Sequence, residues 1–193
     1  MDLVELRFQI IGTTIPRNYH YCLYSAITND CSSLKRSVNW RCGRISGVSV
    51  FNHDTLRLQN SYISIRCEKE MIKDLEPLYQ RQLVLGKEAL VSIALSEIVS
   101  VTPKTSLFAW VSIKTGKNKK PDLARFAVSL GKQLAGLNID TLPEIGREET
   151  LIIKKEPGLV YPVSFENLRP AESISLQSQG VGGRSHLGCG FFE

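Results

Sequence analysis

Residues 179 to 193 read QGVGGRSHLGCGFFE, with five glycines inside the eleven positions 180 to 190. Glycine has the most conformational entropy to lose and chain ends fray, so one reading is a disordered tail. Such a tail would stay polar. Here Leu187, Cys189, Phe191 and Phe192 give the end a hydrophobic character that favours a short closing strand. The spacing is Gly180-x-Gly182, five residues, then Gly188-x-Gly190, and the ionisable side chains inside it are Arg184 and His186. A glycine loop clamped before a strand permits positive φ and lets backbone N–H groups approach a ligand, most often an anion.

The rest of the chain sets that strand in context. "LVELRFQIIG" (3–12) alternates as a half-buried strand, and Asn18 is a plausible cap for a helix with Leu23, Ala26 and Ile27 on one face. Strands are expected over 45–51, 56–67 and 89–101, with a helix at 68–79 between the last two. The order is β-α-β-β-α-β, and it then repeats. A strand at 107–114 precedes an amphipathic helix over 121–137 with Pro121 at its first position. Strands at 149–155 and 159–168, a short helix over 170–179 and the closing strand complete the second round. This predicts an α+β chain of two tandem ferredoxin-like (βαββαβ, RRM-like) domains, 1–102 and 103–193, the second ending in the Gly-rich loop. That topology hosts many activities, so function has to come from sites.

Composition narrows the classes. The 193 residues are 42% hydrophobic and 22% charged, ordinary for a globular chain able to bury a core. No basic region followed by an apolar run opens the sequence, and the longest apolar stretch, 89–101, is short and contains Glu97. A cytoplasmic protein without membrane attachment is expected. Five scattered cysteines without a C-x-x-C support neither a disulfide framework nor a zinc ribbon, and no metal is expected. A net charge of +5 is compatible with a polyanion partner.

The glycine pattern, a Gly-hydrophobic-Gly, five residues, then Gly-x-Gly closing the last element, resembles the signature of the CRISPR repeat-RNA endoribonucleases of the Cas-six family. The resemblance extends to "FQIIGTTIPRNYHYCLYSAI", similar to the family's opening strand and histidine-bearing helix, and to "SISLQSQGVGGRSHLGCGFF", similar to its closing helix and loop. It implies two ferredoxin-like halves, binding of CRISPR repeat RNA, and metal-independent cutting of precursor RNA with no cofactor. It also implies retention of the processed RNA beside other subunits of a Cascade-type complex. A subunit that binds the RNA without cutting it is the alternative. Many short relatives fill the loop with consecutive arginines; here it offers only Arg184 and His186, so binding is expected to lean on other basic segments. A Walker loop needs a Gly-Lys-Ser/Thr that is absent, and a dinucleotide fingerprint needs a helix for which too few residues remain after Gly190.

Cleavage without metal requires the RNA's own 2′-OH as nucleophile, a base to take its proton and cations to offset charge on the phosphorane. Of the three histidines, His20 stands at a helix start, where the macrodipole disfavours imidazolium and biases the ring towards the neutral form of a base. The resemblance implies the same role; the plain alternative is a histidine on the surface or packed between Tyr19 and Tyr24. Tyr21 is a candidate to orient the scissile group, or a rim aromatic. Gly180, Gly182, Gly183, Arg184 and His186 are the candidate phosphate contacts of the loop. His53 follows Asn52 in an expected turn and carries no assigned role. "KTGKNKK" offers Lys114, Lys117, Lys119 and Lys120 as a clamp on RNA backbone, or a solvated loop. "LKRSVNWRCGR" adds Arg36, Arg41 and Arg44 around Trp40, an aromatic that either stacks a base or lies buried.

Overall fold

The alternation in "LVELRFQII" gives β1 (Leu3–Ile11) two different faces. Val4, Leu6, Phe8 and Ile10 point into a core, whereas Glu5, Arg7 and Gln9 take the opposite side. The structure is a computed structural model, and it describes residues 2–86, 89–113, 122–153 and 156–193. The chain divides into two units, Met1–Ser100 and Val101–Glu193.

In the first unit β1 is followed by β2 (Thr14–Pro16), α1 (His20–Asp30), β3 (Trp40–Cys42), β4 (Ser46–Val50), β5 (Thr55–Glu68), β6 (Gln80–Val84) and β7 (Leu90–Ser100). β1 lies between β5 and β7, antiparallel to both; β3 and β4 continue beyond β5, and β6 pairs with β7. The last strand therefore returns beside the first, as the split-βαβ topology requires. Two details differ from expectation. The segment expected as a helix over 68–79 is a 3-10 helix, Lys69–Leu78, carrying Pro77 and burying Leu75 and Leu78. Proline lacks an N–H and clashes with the preceding turn, which disfavours a regular α-helix there. The short strands β2, β3 and β6 have too few residues for a period to register.

The second unit runs β8 (Leu107–Val111), α2 (Leu123–Gly136), β9 (Glu144–Ile145), β10 (Glu149–Ile153), β11 (Glu156–Phe165) and α3 (Pro170–Gln179). Its sheet is ordered β10-β11-β8, with β9 also on β11. α2 starts at Leu123 instead of 121, because the Asp122 carboxylate accepts the Ala124 N–H at 2.9 Å and caps the helix. Phe126, Leu130 and Leu134, each four apart, form its buried stripe. α3 has Pro170 in its first turn, and Glu172 reaches back to accept the Arg169 N–H at 3.0 Å.

The tail takes the fourth place in this unit without forming the expected strand. Phe108 and Glu193 exchange N–H···O=C bonds of 3.0 Å in both directions, and the Gly190 N–H donates to the Trp110 carbonyl at 2.7 Å. Reciprocal bonding of this kind is one rung of an antiparallel ladder. Gly188 and Gly190 have φ of 78° and 65°, outside extended geometry, so residues 188–190 are not a regular strand. Phe192 is fully buried against Phe165, ring centroids 5.7 Å apart, and joins a core with Val111, Phe126, Leu130, Val163 and Leu176. The tail is held by its aromatic end. Among the described residues no helix is long and apolar enough to cross a membrane.

Candidate active site

The candidate base opens α1. Its cap residue is Tyr19, in helical geometry and with no side-chain cap bond, so Asn18 is not the cap the sequence pointed to. The Tyr19 N–H instead reaches the Pro16 carbonyl at 3.2 Å, and the Leu23 N–H closes the first helical bond to Tyr19 at 2.8 Å. His20, Leu23 and Ile27 share the buried face of α1. The His20 ring stacks on Tyr19, centroids 4.2 Å apart and planes at 25°. Tyr19 is fixed in turn, since its hydroxyl accepts the Ile45 N–H at 2.9 Å. The Tyr24 ring lies parallel to Trp40 at 6.2 Å. His20 is buried, 6% exposed.

Tyr21 points elsewhere, as one residue of helix rotates a side chain by about 100°. It is half-buried and lines an open groove of about 420 Å³ with Cys22, Ser25 and Asp30 of α1 and Gln82 and Val84 of β6. His20 does not line that groove. The two expected catalytic neighbours are therefore on different faces of one helix.

The Gly-rich loop offers less backbone than its sequence suggests. Gly180, with φ of 56°, ends α3, and its N–H donates to the Leu176 carbonyl at 2.9 Å. The Gly182 N–H donates to Gln133 Oε1 and the Gly183 N–H to the Ser112 carbonyl, each at 2.7 Å. The amides expected to face an anion are engaged within the unit, where they pin the loop to α2 and to the end of β8. Glycine is required at 182 by both φ, +84°, and space: a Cβ would lie 2.7 Å from the Ser112 carbonyl oxygen. What the loop presents is side chains. Arg184 is half-buried, takes left-handed geometry at φ 64° and lays its guanidinium against Gly158 of β11. His186 is half-buried in the 3-10 turn Ser185–Leu187.

The connector arginines separate. Arg36 is exposed after the 3-10 turn Ser32–Lys35, whereas Arg41 and Arg44 are half-buried. Trp40 is buried, with its Nε1–H donated to the Leu34 carbonyl at 3.1 Å, so it is not a stacking surface. Arg41 lies beside Arg66 across the β3–β5 pairing; burial, then the Arg66 charge, lowers its pKa. Sequence reading passed over Arg66. It is buried and donates to Glu5 at 2.7 Å, while Arg7 bridges Glu5 at 3.0 Å and Glu97 at 2.6 Å. Burial alone would raise the Glu5 pKa, but the Arg66 charge and hydrogen bonds from Arg66, Arg7 and Ser64 hold it low. Charged residues two apart in "ELR" hint at this polar sheet face; their distant partners are 59 to 90 residues away and invisible to local pattern. Lys114, Lys117, Lys119 and Lys120 lie outside the described residues. Burial pushes the Cys42 and Cys67 thiols up to about 12, so both stay neutral and unreactive.

The family model Cas6 Crispr matches residues 4–193. The "CRISPR-associated endonuclease Cas6" of Myxococcus xanthus (strain DK1622) is 28% identical over 192 residues, covering 100% of this chain and 81% of that one. Among solved structures, one described as "Characterization of a Cas6-related gene from Pyrococcus furiosus" superposes with a TM-score of 0.65 at 17% identity, covering 100% of this chain and 97% of the other. Thermus thermophilus Cse3, bound to an RNA representing a pre-cleavage complex, superposes with a TM-score of 0.59 at 10% identity, covering 100% and 98%. These two likenesses establish a shared double-unit fold. The match to the family model over nearly the whole length establishes more: the chain belongs to the Cas6 Crispr family.

Proposed function

We propose that this chain is an endoribonuclease that binds CRISPR repeat RNA and cuts precursor CRISPR RNA by internal attack. His20 takes the proton from a ribose 2′-OH, O2′ attacks the adjacent phosphorus, and the P–O5′ bond breaks. The leaving O5′ takes up a proton, so the products are a 2′,3′-cyclic phosphate and a 5′-hydroxyl. The step needs no metal. Basic side chains offset charge on the phosphorane, Arg184 contributes to holding the RNA, and the processed RNA stays bound beside other subunits of a Cascade-type complex.

The observation that carries this reading is the full-length match to a relative named an endonuclease. Family membership over residues 4–193, and a histidine fixed in the first turn of α1, support it. One observation favours the rival, an RNA-binding subunit that does not cut: His20 is only 6% exposed. A denaturing gel separates them. Repeat RNA is incubated with the full chain in EDTA, beside RNA carrying a single 2′-deoxy at the scissile nucleotide. Cutting of the first RNA alone supports the enzyme; a band shift without cutting supports the rival. His20→Ala is expected to keep its affinity and to lose cleavage by roughly two to four orders of magnitude. A parallel loss of binding would make His20 a packing residue.

A further inference from the structure

The β4–β5 hairpin ends in an aromatic residue that the core of its unit does not use. Phe51 directly follows β4 and is 51% exposed, beside Val50 at 66%. The turn that presents it is braced. Asn52 Oδ1 accepts from the Asp54 N–H at 2.9 Å and from the Thr55 N–H and hydroxyl at 2.8 Å, while the Phe51 and Asn52 N–H groups donate to the Thr55 carbonyl. A ring on a fixed turn loses little freedom when it is covered.

A cation stands over that ring. Arg57, opposite Thr14 of β2 and Ser49 of β4, holds its guanidinium carbon 4.7 Å from the Phe51 centroid. The same tip is stitched to the residues that lead into α1. Pro16 pairs with Thr55, and the exposed Arg17 donates its N–H to the Asp54 carbonyl at 2.8 Å, three residues before His20. Asp54 is the one acidic side chain of the turn, and His53 contacts it at 3.0 Å. An aromatic ring with a positive charge over one face matches a nucleotide, whose base stacks on the other face while its phosphate meets the cation. An apolar protein partner would have to strip water from Arg57 and gain nothing from its charge.

We propose that Phe51 and Arg57 form a stacking site for one unpaired nucleotide of the repeat RNA, next to the entrance of the His20 turn. This rests on the function proposed above. The test measures the affinity of the full chain for fluorescein-labelled RNA of the host's own CRISPR repeat, at several salt concentrations. Phe51→Ala weakens binding roughly 5- to 150-fold, with an unchanged slope of log K against log salt, and Phe51→Trp restores it to within about threefold. Arg57→Ala weakens binding and lowers the slope by about 0.7. Unfolding midpoints of all three variants stay at the wild-type value, since the ring lies outside the core. Phe51→Ala binding as tightly as wild type overturns the site, as does Phe51→Trp binding as weakly as Phe51→Ala. A wild-type chain that binds no repeat RNA would instead overturn the proposed function.

Discussion

Arg184 shows how one side chain is aimed by a residue 26 positions away. Its guanidinium lies where a Cβ on Gly158 would stand, 2.9 Å from Cζ and 3.0 Å from Nη2. Gly158→Ala should push the head group off this seat and weaken repeat-RNA binding on the order of tenfold, as Arg184→Ala should. In an Arg184→Ala background the glycine change should then cost nothing further, which fluorescence anisotropy on the four proteins would read. Equal losses in both backgrounds would defeat the idea. Glu172 is the corresponding case for stability. It is buried, and its carboxylate accepts from the Arg169 side chain, the Arg169, Asp140 and Thr141 N–H groups and the Thr141 hydroxyl. The Arg169 hydrogen bond leads in holding its pKa far below the ordinary 4.5. A depressed folded-state pKa contributes stability above the unfolded value and loses it as pH falls further. Thermal midpoints should therefore hold from neutral pH down to about 5 and fall below about 4.5, and Glu172→Gln should flatten that fall.

At the scale of elements, the terminal segment is secured by the packing of its aromatic end. Phe192 is fully buried against Phe165, and the tail bonds to β8 through Gly190 and Glu193. Phe192→Ala should cost about 3–5 kcal/mol in denaturant unfolding. It should also speed hydrogen exchange at Gly182 and Gly183, whose N–H bonds hold the loop above the same core. Unchanged exchange there would mean that the loop is fixed from α2 alone. The strands and α2 were legible because their apolar periods are long: β1, β5, β7 and the Phe126, Leu130, Leu134 stripe all follow the pattern. The 3-10 helix Lys69–Leu78 was misread because apolar spacing at Met71, Ile72 and Leu75 suits either helix, and only Pro77 argued otherwise.

For the whole molecule, a net charge of +5 makes RNA affinity a matter of counterions. Changing Lys114, Lys117, Lys119 and Lys120 together to alanine should lower the slope of log K against log salt by up to about 3, close to 0.7 for each phosphate that is no longer neutralised. An unchanged slope would make the lysine run a bystander. While the short strands β2, β3, β6 and β9 were not, the doubled βαββαβ plan and the glycine signature with its histidine-bearing helix were determined by the sequence alone. These depend on local period, turn chemistry and spacing, which are written in neighbouring residues. The tertiary structure decided where the donors and charges go. It engaged the amides of Gly182 and Gly183 with Gln133 and Ser112, turned His20 inward while Tyr21 faced a groove, and set Arg66 against Glu5. A buried hydrogen bond or ion pair is chosen by which distant groups the fold brings within about 3 Å, and no local pattern carries that information.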